Sequence, residues 1–206
     1  MPVNVNQENS GLVHVVLVGG TPAEWADMTD ADWMSRLTDL ARGADAEGAQ
    51  WVTLLPRVGP DLAPERRKSF LQQLQGLRNV SVIRAAHGER FVWRNLSGVS
   101  VIIDPSPDGH VRFAHAIEHL RQDGVSPDDI NEDVLTRVLL DPATDEPDLV
   151  IILGPPDVLP ESLVWELAYS ELVFLDLGWK DMEASHLELA IDDFNRRHRR
   201  FGGLDS

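Results

Sequence analysis

Short runs of apolar residues alternate along this chain with longer segments in which apolar residues recur every three or four positions. Uninterrupted apolar runs are typical of buried strands in a parallel sheet, and the longer segments are typical of helices with one buried face. The apolar runs predict strands over residues 12–18, 51–55, 79–83, 99–103, 149–153 and 172–175. The periodic segments predict helices over residues 32–48, 64–77, 111–123, 131–140, 160–169 and 182–200.

Strands that alternate with helices indicate an α/β fold. We predict a single domain built on a mainly parallel, six-stranded sheet flanked by helices, since no glycine- or serine-rich linker divides the chain. The domain is expected over residues 11–203. Residues 1–10 are polar and are expected to form a frayed N-terminus, and residues 204–206 a short tail.

Composition narrows the classes of function. The 206 residues carry a formal net charge of -16 and include no cysteine. The acidity argues against nucleic acid and anionic lipid headgroups as partners, and the lack of cysteine excludes disulfides and thiolate metal sites. The longest apolar runs fall far short of the ~20 residues that cross a bilayer, and the start lacks a signal-peptide pattern. We therefore expect a cytoplasmic protein with no transmembrane segment, which would meet a membrane only through a partner.

The acidic chain turns basic near its end, where four arginines occupy the five positions from 196 to 200. Gly202 and Gly203 follow them. Cations and a left-handed glycine are common where a helix stops, because both complement its last carbonyl groups. The same arginines would also suit a bound anion. This segment alone leaves both interpretations open and favours the helix cap.

Two other short patterns also have a structural and a functional interpretation. His115, Glu118 and His119 have the H-x-x-E-H spacing of some zinc metalloproteases, but on a helix rich in charge a solvated face is the favoured interpretation. The glycines of residues 19–22 could cradle a phosphate at a helix start. Glu24 would disfavour an anion there, so a structural turn is favoured.

Two stretches at opposite ends of the chain resemble one family. Residues 148–203 contain in order Asp148-Leu-Val-Ile, Leu163-Val-Trp-Glu-Leu-Ala-Tyr-Ser-Glu-Leu-Val-Phe174, Gly178-Trp179 and Arg199-Arg-Phe-Gly-Gly203. Their order and spacing resemble the C-terminal third of the cis-prenyltransferases, the undecaprenyl diphosphate synthase family. Near the start, His14-Val-Val-Leu-Val-Gly-Gly-Thr-Pro-Ala-Glu-Trp25-Ala26 is similar to the first strand and turn of that family, usually written H-V-A-x-I-M-D-G-N-G-R-W-A. The resemblance implies the family's fold for most of the chain.

The sequence departs from the family's pattern where the family binds diphosphate. The aspartate that ends the first strand and organises magnesium is Gly20 here, and the phosphate-binding arginine before the tryptophan is Glu24. In the isopentenyl diphosphate motif, two arginines and a serine become Ile152, Val158 and Pro160. Diphosphates are held by arginine forks, backbone amides and magnesium, which these side chains cannot replace. The resemblance therefore implies a chain that is inactive alone, with no catalytic residue and no metal ligand of its own.

Two further departures lie in the middle of the chain. The family's N-Y-G-G-R turn aligns with Ser-Pro-Asp-Gly-His at residues 106–110, which lacks the asparagine and the arginine. Residues 62–106 are fewer than in the matching family region, which supplies the helices around a hydrophobic tunnel for the growing product. The resemblance therefore implies little room for a long polyprenyl chain.

The family positions that survive are those given to a neighbouring subunit. Arg200 and Gly202 match the R-x-G tail that reaches into the partner's site, where it would contact isopentenyl diphosphate or its magnesium. Glu171 matches a glutamate near the magnesium and the dimer contact. The resemblance implies an interface that includes Trp165, Tyr169, Glu171 and Phe174.

This division of labour is that of heteromeric cis-prenyltransferases, in which a degenerate subunit resembling the Nogo-B receptor serves an active chain. The resemblance implies a non-catalytic subunit of a heterodimer or heterotetramer that makes polyprenyl diphosphates from isopentenyl diphosphate and an allylic diphosphate, with Mg²⁺ in the partner's active site. Two alternatives stay open. The chain could be a homodimeric pseudoenzyme that serves as a scaffold, or a divergent active prenyltransferase with rearranged ligands.

Overall fold

The computed structural model describes residues 12–46, 48–94, 98–156, 158–168 and 170–201, with the side chains of all of these but 198–201. The strands are β1 (His14–Val18), β2 (Trp51–Leu55), β3 (Val80–Ala85), β4 (Gly88–Arg94), β5 (Ser100–Ile103), β6 (Leu149–Leu153) and β7 (Glu171–Leu175). The helices are α1 (Pro22–Ala26), α2 (Asp30–Asp45), α3 (Pro64–Gly76), α4 (Gly109–Gln122), α5 (Glu132–Leu140) and α6 (Ala184–Phe201). Strands and helices alternate along most of the chain, as the sequence predicts.

The strands form one sheet in the order β3-β4-β5-β2-β1-β6-β7. Neighbours from β5 to β7 pair in parallel, while β4 is antiparallel to both β3 and β5. The predicted single α/β domain with a mainly parallel sheet is confirmed. The predicted number of six strands is wrong, because β4 was missed. Its apolar run is only three residues long, and the turn at Ala86 and His87 lacks the Asn-Gly or Asp-Gly signal of a tight hairpin.

Both faces of the sheet are covered, which explains why the strands are apolar without alternation. In β1, Val15 and Leu17 belong to the core under α2, α3 and α6. Val16 and Val18 belong to a second core on the opposite face, which includes Leu163. Across the described residues, no helix combines the length and the apolarity that crossing a bilayer requires.

The helix predicted over residues 160–169 is wrong, since the described part of this segment consists of turns. Local turn bonds and tertiary partners on α4 bind its polar groups in place of a helical ladder. Arg112 donates to the Ser162 carbonyl and, at 2.8 Å, to Glu166 Oε1. The Val164 amide donates to Glu166 Oε2 at 3.3 Å. The segment is therefore anchored to α4 without forming a helix.

Candidate functional site

The carboxyl ends of the parallel strands meet at one edge of the sheet, where α/β proteins commonly bind ligands. We call this the carboxyl edge. The residues that follow β1, β2, β5 and β6 there include Gly19, Gly20, Arg57, Asp104 and Gly154. The substituted positions that suggested a lost active site thus lie where a ligand would be expected.

Three tryptophans fill the space beyond the end of β1. Trp25, Trp33 and Trp179 are buried, and the ring centroid of Trp25 lies 5.5 Å from that of Trp33 and 5.7 Å from that of Trp179. Trp25 Nε1 donates a 2.9 Å hydrogen bond to the Gly19 carbonyl. Gly20 has φ of +69°, and a Cβ atom added to it would lie 2.7 Å from Trp25 Nε1 and 2.8 Å from Trp179 Cγ. Position 20 therefore has neither the backbone conformation nor the space for a side chain.

Glu24 closes the turn that follows β1. Its carboxylate accepts hydrogen bonds from the Thr21 amide at 2.8 Å and from the Thr21 hydroxyl at 3.1 Å. Thr21 Oγ1 in turn accepts a bond from the Glu24 amide at 3.2 Å. This reciprocal capping box stabilises the start of α1, and its negative charge disfavours a bound anion. The observed contacts agree with a structural turn.

The cation nearest to these strand ends is also bound by the protein itself. Arg57 Nη1 donates to the Leu153 carbonyl at 2.9 Å. The guanidinium lies against Gly154, where a Cβ atom would be only 2.0 Å from Nη1. At the positions of the family's phosphate ligands, Ile152 is buried within β6 and Val158 is 48% exposed. Arg57 thus joins the ends of β2 and β6.

A buried cluster of charges follows β5. Asp104 Oδ2 is hydrogen-bonded to His87 Nε2 and Arg90 Nε, both at 2.9 Å, and lies 3.5 Å from Arg112 Nη1. Arg112 also binds Glu166, and the side chains of all five residues are at most 3% exposed. We call these five residues the Asp104 cluster. It joins β4, β5, α4 and the turns after β6.

The Asp104 cluster is electrostatically balanced. Burial alone would raise the pKa of Asp104, but Arg90, the bond from His87 and Arg112 hold that pKa well below its usual range. Burial would lower the pKa of Arg112, yet Glu166 and Asp104 raise it. Two arginines offset two carboxylates, so the loss of one member would leave a buried charge without compensation. In the bonded pairs Arg90–Asp104 and Arg112–Glu166, the two partners are 14 and 54 residues apart in the sequence. No local sequence pattern therefore indicated the cluster.

The carboxyl edge does not fit a magnesium site. Magnesium is usually held by one or two carboxylates together with water and substrate phosphates. Here the Glu24 carboxylate caps α1, and the Asp104 carboxylate is bound by two arginines. Over the ranges that the structure describes, no three His, Cys, Asp or Glu side chains form a group that could hold a metal ion.

The model of the undecaprenyl diphosphate synthase family of prenyltransferases matches residues 96–202, which is just over half of the chain. The chain belongs to this family. An isoprenyl transferase of Neisseria gonorrhoeae is 33% identical over 137 residues, which are 66% of this chain and 51% of the relative. An isoprenyl transferase of Porphyromonas gingivalis is 39% identical over 110 residues, which are 52% of this chain and 43% of the relative. The matched region thus spans about half the length of the first curated relative and less than half the length of the second.

Two solved structures share the fold of this chain. A probable undecaprenyl diphosphate synthase from Campylobacter jejuni has a TM-score of 0.57 and 14% identity, with 93% of this chain and 98% of the other covered. Lavandulyl diphosphate synthase from Lavandula x intermedia, solved with dimethylallyl diphosphate, has a TM-score of 0.54 and 15% identity, with 92% and 97% covered. The resemblance seen in the sequence is therefore confirmed at the level of family and fold.

Trp165, Glu171 and Phe174, three of the four predicted interface residues, do not form one group. Trp165 is half-buried, stacks on Phe113 with 5.9 Å between ring centroids, and donates from Nε1 to Thr136 Oγ1 at 3.0 Å. Glu171 and Phe174 are half-buried in β7, at the edge of the sheet, and Phe174 packs on a different core cluster from Trp165. Tyr169 lies outside the described residues. An interface role stays a prediction for all of them.

The predicted C-terminal helix is observed as α6, with two arginines paired on its surface. Arg196 donates to Asp192 Oδ2 at 2.5 Å, and Arg197 pairs with Asp193. The Arg200 side chain and Gly202 lie outside the described part of the chain. The choice between a helix cap and a contact in trans therefore stays a prediction.

The H-x-x-E-H residues lie on α4, as expected for a charged surface helix. His115 and His119 are exposed, and hydrogen bonds from Arg121 and Gln122 lower the pKa of Glu118 to about 2. Glu118 is thus held by neighbours one turn away. These contacts agree with the solvated-face interpretation.

The region where the family places its tunnel wall is packed with side chains. Phe70, Leu74, Phe91 and Trp93 are buried together between α3 and the sheet. The cavity beside Phe70, at the start of α3, measures only about 30 Å³. Pockets for drug-sized ligands measure about 300–1,000 Å³. This part of the chain has no room for a long apolar product.

Proposed function

We propose that this chain is a non-catalytic subunit of a heteromeric cis-prenyltransferase. The observation that carries the proposal is the filled end of β1, where Gly20 stands at the position of the family's metal-organising aspartate. Trp25 and Trp179 occupy the space that a side chain at this position would need. Departure of an allylic diphosphate requires strong stabilisation of developing negative charge, and no carboxylate can be placed here to organise a metal for it.

Two further features support an inactive site in this chain. Arg57, the cation beside the end of β6, already uses part of its guanidinium to bind the Leu153 carbonyl. The packed core between α3 and the sheet leaves a cavity of about 30 Å³ where a growing product would need space. Substrate grip, metal organisation and product space would thus all have to come from another chain.

In this proposal the partner chain holds the active site, the Mg²⁺ ion and the tunnel. The present chain contributes the β7 edge with Glu171 and Phe174, and a C-terminal tail with Arg200 and Gly202. Arg200 and the Gly202 amide would bind isopentenyl diphosphate or its magnesium in the partner's site. The complex, a heterodimer or heterotetramer, would make polyprenyl diphosphates.

Co-expression with candidate catalytic cis-prenyltransferase chains, followed by co-purification and a radiolabelled chain-elongation assay, tests this function. We expect no product from the isolated chain and elongation by the co-purified complex. Elongation by the pure chain would identify a divergent enzyme. A homodimer that binds none of the catalytic chains would identify a scaffold and overturn the subunit role.

An Arg200→Ala variant of the complex separates the two interpretations of the tail. Loss of a charge-assisted contact to diphosphate costs about 1.5–3 kcal/mol, so kcat/KM should fall roughly tenfold or more while assembly survives. Arg196→Ala is the matched control, because Arg196 already pairs with Asp192 on the same helix. If Arg200 only caps α6, the variant should lose about 0.3–1 kcal/mol of stability and keep its turnover.

A further inference from the structure

The charges of this chain are segregated. Residues 62–98 contain seven Lys and Arg residues and two acidic residues, which gives this segment a net charge of +5. Because the whole chain has a formal net charge of -16, the residues outside this segment carry a net charge of -21. The structure places the basic segment as α3, β3 and β4, at the end of the sheet opposite β7. Arg90 of this segment is buried against Asp104 and Arg66 pairs with Asp27, so five exposed cations remain to make this end basic.

The strand at this end, β3, has an open side. It pairs with β4 without interruption over six residues, contains no proline, and has no other strand beside it within the described residues. The Arg94 amide donates to the Asn79 carbonyl at 3.2 Å, so Asn79 and Arg94, which face each other across the hairpin, are a hydrogen-bonded pair of the ladder. Because such pairs alternate in an antiparallel ladder, the peptide groups of Val82 and Arg84 are directed away from β4. Natural edge strands usually carry a proline, a bulge or a cover that prevents further pairing.

Exposed cations line the open strand. Arg78 precedes β3, Arg84 lies near its end, and Arg94 ends β4, and all three are exposed. None of them has an ion-pair partner among the described residues, although Glu89 is the register partner of Arg84 across the hairpin. We call Arg78, Arg84 and Arg94 the β3 cations. The Arg94 side chain donates to the Ser81 hydroxyl at 3.2 Å. Open peptide groups flanked by cations without an acidic partner in the described part of the chain suit an extended acidic chain.

We propose that the β3 edge binds an acidic, extended segment of a partner protein as an added eighth strand. Main-chain hydrogen bonds would supply affinity, and the β3 cations would select acidic side chains. This inference is independent of the proposed enzymatic role.

Other occupants fit the surface less well. The large apolar side chains exposed among the described residues all lie outside residues 62–98, so this end offers no apolar anchor for a membrane. Phe91 and Trp93 are buried and cannot stack on bases. A second copy would bring an equally basic β3 edge against the first, and the like charges would repel.

Three labelled peptides serve as probes in fluorescence anisotropy with the full chain. The first alternates glutamate and valine, the second replaces its valines with proline at the same charge, and the third replaces its glutamates with lysine. We expect the first to bind at low salt, with an affinity at least about tenfold above that of either control, equivalent to ~1.4 kcal/mol. Proline removes the peptide N–H groups that a ladder needs. Equal affinity for the proline peptide, or no binding of the first peptide, would overturn the proposal.

Two variants and one spectroscopic measurement locate the binding. Arg78→Glu combined with Arg84→Glu should weaken the acidic peptide at least about tenfold, whereas Arg42→Glu, at an exposed cation on α2, should leave it unchanged. Amide exchange at Val82 and Arg84 should slow in the peptide complex. Unchanged exchange at these amides would contradict the proposal that a partner strand is added to β3. Self-association of the chain that the double variant abolishes would show that a second copy, and not an acidic partner, occupies the edge.

Discussion

Replacing Gly20 with alanine should destabilise the fold by about 2–5 kcal/mol. A non-glycine residue held at positive φ costs about 1–2 kcal/mol, and the φ of this residue is +69°. The new Cβ atom would lie 2.7 Å from Trp25 Nε1 and 2.8 Å from Trp179 Cγ. Overpacking of a filled core in this way costs a further amount of about 1–3 kcal/mol. Gly20→Asp should be at least as destabilising, because it also desolvates a carboxylate.

Urea unfolding followed by tryptophan fluorescence measures this loss, since the displaced rings are themselves the reporters. Gly76→Ala is the control, because a Cβ atom there meets nothing within 4 Å and its effect should stay within about 1 kcal/mol. Calorimetric titration of Gly20→Asp with magnesium should show no binding. A Gly20→Asp protein as stable as the wild type that binds magnesium would refute the view that this position has lost its room for a carboxylate.

Asp104→Asn should lower the free energy of unfolding by about 3–5 kcal/mol, because Arg90 would keep a buried charge without its carboxylate. Glu118→Gln, at an exposed pair, should change thermal denaturation little, and an equally small effect of Asp104→Asn would contradict a structural cluster. Burial lowers the pKa of His14, so the unfolded chain binds that proton more tightly and stability should fall as pH drops below about 6.5. One histidine can change the free energy of unfolding by at most ~1.4 kcal/mol per pH unit. His14→Gln should therefore flatten the dependence of stability on pH. His110→Gln, at a side chain that is 78% exposed, should leave this dependence unchanged. Identical slopes in all three proteins would argue against His14 as its source.

Most of the parallel strands were predictable because β1, β2, β5 and β6 are buried on both faces and therefore read as continuous apolar runs, whereas β7 at the sheet edge is half-buried. The same reasoning failed for residues 160–168, where Leu163 and Leu167 have helical spacing. Both pack on the sheet from a chain of turns, in which Arg112 binds the Ser162 carbonyl and the Glu166 carboxylate. Apolar spacing indicates which side chains are buried, and the hydrogen-bond partners decide the backbone.

The substitutions at the candidate site could also be read from the sequence, as Gly20 and Glu24 where the family has an aspartate and an arginine. What surrounds these two residues could not be read there. Trp179 reaches Gly20 from the far end of the chain, and the Arg57 guanidinium meets a carbonyl 96 residues away. Contacts of this range follow from the fold as a whole and have no signature in a local pattern.

The position of β1 in the interior of the sheet, between β2 and β6, has a consequence for synthesis of the chain. β1 pairs with β6 in a register that joins Val15 to Leu149. At about 5–20 residues per second, a ribosome needs on the order of ten seconds to make the residues between them. During this interval one side of β1 has no strand to pair with, and non-local pairing of this kind is slow even in the complete chain. The domain therefore completes its core only after most of it has left the ribosome, and a nascent chain stalled before β6 exposes an apolar strand edge to chaperones or to aggregation.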